Sequence, residues 1–526
     1  MKTIYKTFLA LGIVTITSTS CQKNFDKLTT NNNVPTDVPA SLLLQGVVNS
    51  LPDGPDGQYE IWSQYHLYNY DYYGNNRYDF GAGTFNYTTL KNVILMEQAA
   101  AKANIPSTKP YSALGKFFRA YFFSKMTLQM GDIPMTQALQ GLDNLTPAYD
   151  TQKAVFIQIF KWLEDANTDL TTLINSGITT VDGDIFFTSG DLTQWRKVVN
   201  AFRLRMLLEL SKKTSDTDLN VAAQFASIVN NPAKYPLMTS LSDNLQYVFL
   251  NPTNYYPETP SNFGQNAGRK NMSSTYVSLL TASKDPRVFI TADPARYLVD
   301  NQGQSATDFA SFVGADPGLD LGIMYNNAIQ GQYSFIGRKR YYSTFTGEPS
   351  IQVGYMEQML NIAEGINRGW VTGNAEDYYI KGIQASFQWY NIPVTGTFTA
   401  SFYRPGSTNP ALASNYDNYT ITTNWDTFYN QPAVKYAGGT TGLTQILQQK
   451  YLAGFRHNGL ESYYTYRRTA VPNFTTGTGT GNSGHIALRF QYPSSERTAN
   501  TANYNAAVSS QYGTTDDING TMWILK

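Results

Sequence analysis

Helical periodicity constrains the fold more than any other feature of this 526-residue chain. Apolar residues recur at the i, i+3, i+4 and i+7 positions that share one side of an α-helix. Short connections separate these stretches, which is typical of helix hairpins stacked side by side. We expect Ser41 and Asp150 to act as N-caps of their helices. The pattern predicts helices at about 41–49, 87–101, 111–130, 151–170, 192–211, 354–367, 375–390 and 443–455.

The segments between these helices are less regular. Residues 58–87 combine many tyrosines with asparagine and glycine, which predicts part helix and part loop, and residues 230–345 predict loops with short strands or helices. A polar gap covers 394–440, and a Gly/Thr/Ser stretch at 475–484 precedes a last segment that we expect to be extended. The predicted fold class is therefore mainly α, with helix pairs forming an α-α superhelical body, a loop-rich region and a few short strands.

The N-terminus has the anatomy of a secretory signal. Lys2 and Lys6 precede an apolar run at 8–16 that is too short to span a bilayer, and small residues at 17–20 lead to Cys21. We predict a lipoprotein signal peptide at 1–20, lipidation of Cys21, a polar tether at 21–40, and a single domain at 41–526. Lasting membrane attachment requires more than one acyl chain. An ordinary signal peptide with an incidental cysteine is the alternative.

Composition excludes several classes of function. The 39 basic residues balance the 39 acidic ones, so no polyanion is favoured and nucleic acid is not an expected partner. A single cysteine excludes an internal disulfide. The 3 histidines have no zinc-site spacing, and no GxSxG or GKS/GKT motif occurs, so neither a metal nor a cofactor is predicted. Asp53, Asp56, Asp516 and Asp517 lie near glycines but lack EF-hand spacing, and we interpret them as turn residues.

Aromatic residues supply the candidate binding site. They make up 14% of the chain, and 38 of them are tyrosines. A sugar presents an apolar C–H face and a rim of hydroxyls, so its site needs flat rings beside polar side chains. The stretch 70–78 offers both in one predicted loop. The candidate ligand-binding residues are Tyr70, Tyr72, Tyr73, Asn75 and Arg77, followed by Tyr255, Tyr256, Tyr341, Tyr342 and Trp389.

Several motifs, taken in order, resemble the SusD/RagB outer-membrane lipoproteins, and within them the second SusD-like subfamily. They span nearly the whole mature chain, and the similarity rests on their order behind a lipoprotein signal. We interpret these motifs as parts of the scaffold. In residues 195–207 we expect Trp195 and its apolar neighbours to lie in the core, and Arg203 and Arg205 to reach acidic residues on other helices. The motifs are Met130-Gly131-Asp132-Ile133-Pro134-Met135, Tyr149-Asp150-Thr151-Gln152, Trp195-Arg196-Lys197, Asp285-Pro286-Arg287, Ala363-Glu364-Gly365, Gln449-Lys450-Tyr451, Arg467-Arg468 and Leu488-Arg489-Phe490-Gln491-Tyr492-Pro493.

The resemblance implies a mostly helical body with four tetratricopeptide-like helix pairs, anchored by lipid at the cell surface of the outer membrane. Such proteins cover a SusC-like TonB-dependent transporter and pass captured oligosaccharide to it, and they catalyse no reaction. Residues 22–26, just after Cys21, partly resemble the short signals that send such lipoproteins to the outer face.

Other functions stay open at this point. Some relatives capture peptides, so a RagB-like oligopeptide-binding protein is one alternative. A secreted glycoside hydrolase is another, because two carboxylates at the right separation suffice and the sequence does not show their distance. A third is a structural lid whose partner barrel makes most of the ligand contacts.

Overall fold

A computed structural model describes residues 38–457 and 459–526. The predicted signal peptide, Cys21 and nearly all of the predicted tether lie outside the described residues. Within these two ranges, no helix has both the length and the apolar character needed to cross a bilayer.

The described chain is mainly helical. Short 3-10 segments and a π-helical turn at Tyr297–Asn301 join the principal elements. The α-helices are α1 Ala40–Asn49, α2 Gln58–Trp62, α3 Tyr87–Ala103, α4 Pro110–Met130, α5 Gln152–Asn175, α6 Leu192–Glu209, α7 Val221–Asn230, α8 Phe263–Asn266, α9 Ser274–Ala282, α10 Val288–Thr291, α11 Leu321–Ile329, α12 Arg338–Tyr341, α13 Tyr355–Asn367, α14 Ala375–Trp389, α15 Trp425–Tyr429, α16 Gly439–Ala453, α17 Glu461–Thr469, α18 Glu496–Ala499 and α19 Thr501–Tyr512.

The long helices stack in sequence order and confirm the predicted helix hairpins. Helix α3 packs on α4, α4 on α5, and α5 on α6. Helix α6 then packs on α13, which contacts both α14 and α16, and α16 contacts α17. The mainly α fold class is confirmed, and each predicted helix is present with ends shifted by a few residues.

Two predicted N-caps are wrong. Ser41 lies inside α1, whose preceding residue Pro39 offers no side-chain acceptor. The cap of α5 is Thr151, whose side chain accepts a hydrogen bond from the Ala154 N–H (3.2 Å). Asp150 instead holds the preceding turn, because its carboxylate accepts from the backbone N–H groups of Met135 (2.9 Å) and Thr136 (2.8 Å). The side chains of both Asp150 and Thr151 can accept hydrogen bonds from the free backbone N–H groups at the start of a helix. The turn before α5 directs Asp150 toward Met135 and Thr136, so Thr151 becomes the cap.

Three small antiparallel sheets complete the fold of the described residues. Their strand orders are β1-β3-β5-β4, β2-β6 and β7-β8. The β7–β8 hairpin lies in the segment interpreted as a polar gap, and α19 lies where an extended segment was predicted, so both of those interpretations are corrected. The strands are β1 His66–Tyr68, β2 Leu245–Tyr247, β3 Lys270–Met272, β4 Ala292–Asp293, β5 Phe335–Ile336, β6 Ser350–Val353, β7 Gly396–Tyr403 and β8 Tyr416–Thr423.

Helix α6 carries the scaffold roles predicted for it. Trp195 is fully buried in the main hydrophobic core. Arg203 pairs with Glu164 on α5, and the Arg205 Nε donates to Glu357 on α13 (2.6 Å). These pairs confirm the prediction that the two arginines reach acids on neighbouring helices.

Candidate functional site

The candidate site is built on the loop that follows β1, residues 69–76. Asn76 closes this loop, because its side-chain amide donates to the Tyr68 carbonyl (2.9 Å) and accepts from the Tyr68 N–H (2.9 Å). Gly74 has a φ of +154°, and a Cβ there would lie 2.3 Å from the Tyr68 ring. Only glycine fits so close to that ring, so the chain turns back tightly at this position.

Three tyrosines of the loop and one tyrosine of α11 form an exposed aromatic surface. The ring centroids of Tyr70 and Tyr73 are 6.0 Å apart, those of Tyr72 and Tyr73 are 5.3 Å apart, and those of Tyr70 and Tyr325 are 5.4 Å apart. Tyr72 is 82% exposed and Tyr70 is 37% exposed. We call these four tyrosines and Arg269, described next, the tyrosine patch.

Arg269 precedes β3 and reaches the patch because β3 pairs with β1. Its backbone carbonyl accepts from the Asn69 N–H (3.0 Å), which extends the strand pairing into the loop. Its guanidinium carbon lies 4.6 Å from the centroid of the Tyr70 ring and 5.5 Å from that of Tyr73. A cation at this distance is attracted by the negative face of an aromatic ring.

Sequence reasoning missed Arg269 and Tyr325. Tyr325 is positioned by α11, whose N-cap Asp320 accepts from the backbone N–H groups of Gly322 (2.9 Å) and Ile323 (3.3 Å). Both missed residues are remote from residues 69–76 in the chain, and no local pattern marks them. The β1–β3 register is what brings Arg269 to this loop.

Asn75 and Arg77 lie at the side of the loop and are exposed. The Asn75 side chain accepts from the Arg77 N–H (3.0 Å), and the Arg77 guanidinium forms an ion pair with Asp79. Arg77 therefore offers no unpaired charge to a ligand. The side-chain amide N–H groups of Asn75 lie at the edge of the loop, where they can donate to a ligand.

The remaining exposed candidates do not join the patch. Tyr255 is exposed, and its ring contacts Phe345 at 4.9 Å between centroids. Trp389 is half-buried and meets the His457 ring edge-on at 5.3 Å. No ring contact within the described residues connects either of them with the tyrosine patch. Their role as ligand contacts stays a prediction.

Tyr256, Tyr341 and Tyr342 are corrected from candidate ligand contacts to core residues. All three are essentially fully buried in a second hydrophobic cluster. The hydroxyl oxygen of Tyr256 accepts from the Arg456 Nε (2.7 Å), and the Tyr342 hydroxyl donates to Glu258 (3.2 Å). Two tyrosines adjacent in the sequence do not by themselves indicate a binding surface, because tyrosine rings also pack in the protein interior.

Buried charges support the strands beneath the patch. Lys270 of β3 pairs with Asp56, and Arg456 pairs with Glu258. Burial opposes the ionisation of Asp56, but Lys270, a hydrogen bond with Glu258, and Arg456 outweigh it and lower the pKa of Asp56 to about 2. Burial raises the pKa of Glu258 to about 8 against the attraction of Arg456, and the charge of Asp56 adds to the rise. At neutral pH, the favoured state of this pair has Asp56 ionised and Glu258 protonated.

Burial favours the neutral forms of two further titratable groups beside this cluster. Burial raises the pKa of Glu60 well above its usual range, and burial lowers the pKa of His66, an effect that Lys270 and Arg456 reinforce. Within residues 38–457 and 459–526, no group of three or more His, Cys, Asp or Glu side chains is placed to hold a metal ion. The ion pairs of the cluster therefore support the strands beneath the patch.

The stacked helix pairs and small sheets define a tetratricopeptide-like helical protein. The family model SusD-like_2, described as "Starch-binding associating with outer membrane", matches residues 33–493. That match covers most of the chain, so the chain belongs to this SusD-like family, as its motifs predicted. Among curated proteins, none matches the chain.

Solved structures agree with this assignment. A SusD homologue of Bacteroides fragilis is 31% identical, with a TM-score of 0.79 and coverage of 93% of this chain and 100% of that one. A second SusD homologue of the same species is 32% identical, with a TM-score of 0.75 and the same coverage. A chitin-binding SusD homologue of Flavobacterium johnsoniae shares the fold at 21% identity, with a TM-score of 0.67 and coverage of 92% and 97%.

Proposed function

We propose that this protein is a lipid-anchored receptor on the cell surface that captures oligosaccharide through the tyrosine patch and delivers it to a SusC-like TonB-dependent transporter. The receptor is a single SusD-like domain over residues 41–526, attached through Cys21. The observation that carries the proposal is the exposed cluster of rings around Tyr70, with Arg269 and Asn75 beside them. Membership of a family described as starch-binding supports it.

The chemistry of the patch suits a sugar. Tilted rings at 5.3–6.0 Å offer several apolar faces to the C–H groups of successive sugar units. Tyrosine hydroxyls, the Asn75 amide and the Arg269 guanidinium supply donors and acceptors for the hydroxyl rim. An open surface of this kind fits a chain of sugars better than a single enclosed molecule.

Titration calorimetry tests the ligand class. We expect the mature protein, purified in detergent, to bind members of a glycan library and to give no signal with oligopeptides. Binding of peptides without any response to glycans would establish the RagB-like alternative. Binding that requires the co-purified transporter would show that the barrel supplies most of the ligand contacts.

We further propose that the protein holds its ligand without transforming it. Chromatography after incubation with the polysaccharide it binds is expected to show no shorter products. Product release would identify a glycoside hydrolase and overturn the proposal. Mass spectrometry of the mature N-terminus tests the anchor, for which we expect an acylated Cys21, and an unmodified secreted chain would contradict it.

A further inference from the structure

Arg269 brings a positive charge to the tyrosine patch that no acidic side chain in the described chain neutralises. Its side chain makes no ion pair or hydrogen bond there, and its contacts are the rings of Tyr70 and Tyr73. The cations nearby are neutralised: Arg77 pairs with Asp79, and Lys270 pairs with Asp56. The patch therefore has one unpaired cation at its centre.

The nearest carboxylate in the loop does not cancel this charge. Asp71 stands between Tyr70 and Tyr72, is exposed, and forms no ion pair with Arg269 within residues 38–457 and 459–526. A carboxylate that projects into water is strongly screened. Arg269, by contrast, is half-buried and its guanidinium lies over two rings, where electrostatic interactions are stronger than in bulk water.

The guanidinium group is suited to one class of ligand group. Its N–H donors form a planar fork that matches the two oxygens of a carboxylate or sulfate, and such charge-assisted hydrogen bonds are roughly twice as strong as neutral ones. Stacking on tyrosine restricts the side chain before a ligand arrives, so less conformational entropy is lost on binding. A neutral hydroxyl would use only part of this donor set.

We propose that the tyrosine patch selects acidic oligosaccharides, with Arg269 binding a carboxylate or sulfate group of one sugar unit while Tyr70, Tyr72 and Tyr73 stack on its neighbours. This inference rests on the proposed function, because it names the class of sugar that the same site takes. Arg269 is thus a specificity-determining residue. The overall charge of the protein is balanced, so the preference comes from this local charge.

A matched pair of ligands tests the inference. Hexagalacturonate and its methyl ester have the same sugar chain and differ in charge, and a sulfated galactan hexasaccharide separates sulfate from carboxylate recognition. Calorimetry uses the mature protein in detergent at 50 and 500 mM salt. We expect one of the two acids to bind about tenfold more tightly than the neutral ester at low salt, and the difference to shrink at high salt.

Two variants of Arg269 and one control variant complete the experiment. Arg269→Gln is expected to abolish the preference for the acid, Arg269→Lys to retain part of it, and Lys161→Gln, at an exposed lysine remote from the patch, to leave it unchanged, with thermal unfolding unaltered in all three. Equal affinity for both acids and the ester, or a preference that survives Arg269→Gln, overturns the inference and leaves sugar capture standing. Absence of binding by every saccharide overturns the proposed function as well.

Discussion

The rings of Tyr70 and Tyr325 lie 5.4 Å apart, so the loop after β1 touches helix α11 at the surface. Tyr70 comes from the loop closed by Asn76, and Tyr325 comes from a helix whose N-cap is Asp320. Their contact joins two remote parts of the chain into one aromatic surface. Residues on both sides of this contact should therefore contribute to binding.

Replacing Tyr72 and Tyr73 together by alanine should weaken oligosaccharide binding about tenfold. Two stacking faces are lost, each contributing about 0.5–1.5 kcal/mol. Because Tyr72 is exposed and Tyr73 half-buried, the unfolding temperature should change little. Calorimetry and thermal circular dichroism measure the two effects, with Leu142→Ala, a change at an exposed residue outside the patch, as the control. An unchanged affinity would remove the loop from the site.

Tyr325→Ala tests the half of the patch that lies on α11. We expect a loss of affinity of about three- to tenfold, because Tyr325 offers one ring and also supports Tyr70. Ile329→Ala, an exposed change on the same helix, serves as the control. If the two variants bind oligosaccharide equally well, α11 is not part of the site.

Gly74→Ala should displace the loop. The φ of +154° strains any residue with a Cβ, and the added carbon would lie 2.3 Å from the Tyr68 ring. We expect a loss of stability of about 1–3 kcal/mol together with weaker sugar binding. Gly81→Ala, where nothing lies within 4 Å of the added carbon, is the matched control. Equal stability of the two variants would contradict the tight packing of the loop.

Asp56→Asn should destabilise the protein by about 3–5 kcal/mol, because it removes the nearer of the two carboxylates that contact Lys270 in a buried cluster and leaves only Glu258, at 3.7 Å. Denaturant unfolding at neutral pH measures the change. Asp165→Asn, which breaks an exposed pair with Lys161, is the control and should cost less than about 1 kcal/mol. Similar losses of stability in both variants would show that the buried ion pair stabilises the protein no more than the exposed one.

Glu258 makes stability depend on pH in a predictable direction. Its pKa rises from 4.5 in the unfolded chain to about 8 in the folded protein, so the folded state binds the extra proton between these values. The free energy of unfolding contributed by this group therefore falls as pH rises from about 4.5 to 8.

Asp56 acts in the opposite direction and in a lower range. Its pKa falls from 3.8 to about 2, so its contribution is complete above pH 3.8 and is lost as pH falls toward 2. Glu258→Gln should make the decline between pH 4.5 and 8 shallower and keep the loss at acidic pH, because Glu461 and Asp132 also have raised pKa values in this range. An identical pH profile for the variant and the parent protein would contradict the assignment of the proton to Glu258.

Local patterns were enough to predict the helices but not every structural role. Periodic apolar residues such as those around Trp195 predict that one face of a helix is buried, and this prediction does not require knowing which elements pack against that face, because periodicity is a property of a single helix. The N-cap of α5 went to Thr151 instead of Asp150, since both side chains can accept backbone N–H groups and only the turn from Met135 decides between them. The β7–β8 hairpin was missed although its strands are rich in threonine and aromatic residues, because the long connection over 404–415 lacks the signal of a tight two-residue turn.

Within the candidate site, the tyrosine-rich loop at 70–78 could be recognised from the sequence, since a run of aromatic residues among polar ones is visible without knowledge of any contact. The sequence could not separate Tyr255 from Tyr256, because exposure depends on what packs against each ring. Only the tertiary structure buried Tyr256 and brought Arg269 and Tyr325 to Tyr70. The physical reason is that strand pairing and helix packing join residues remote in the chain, and neither composition nor periodicity records those long-range contacts.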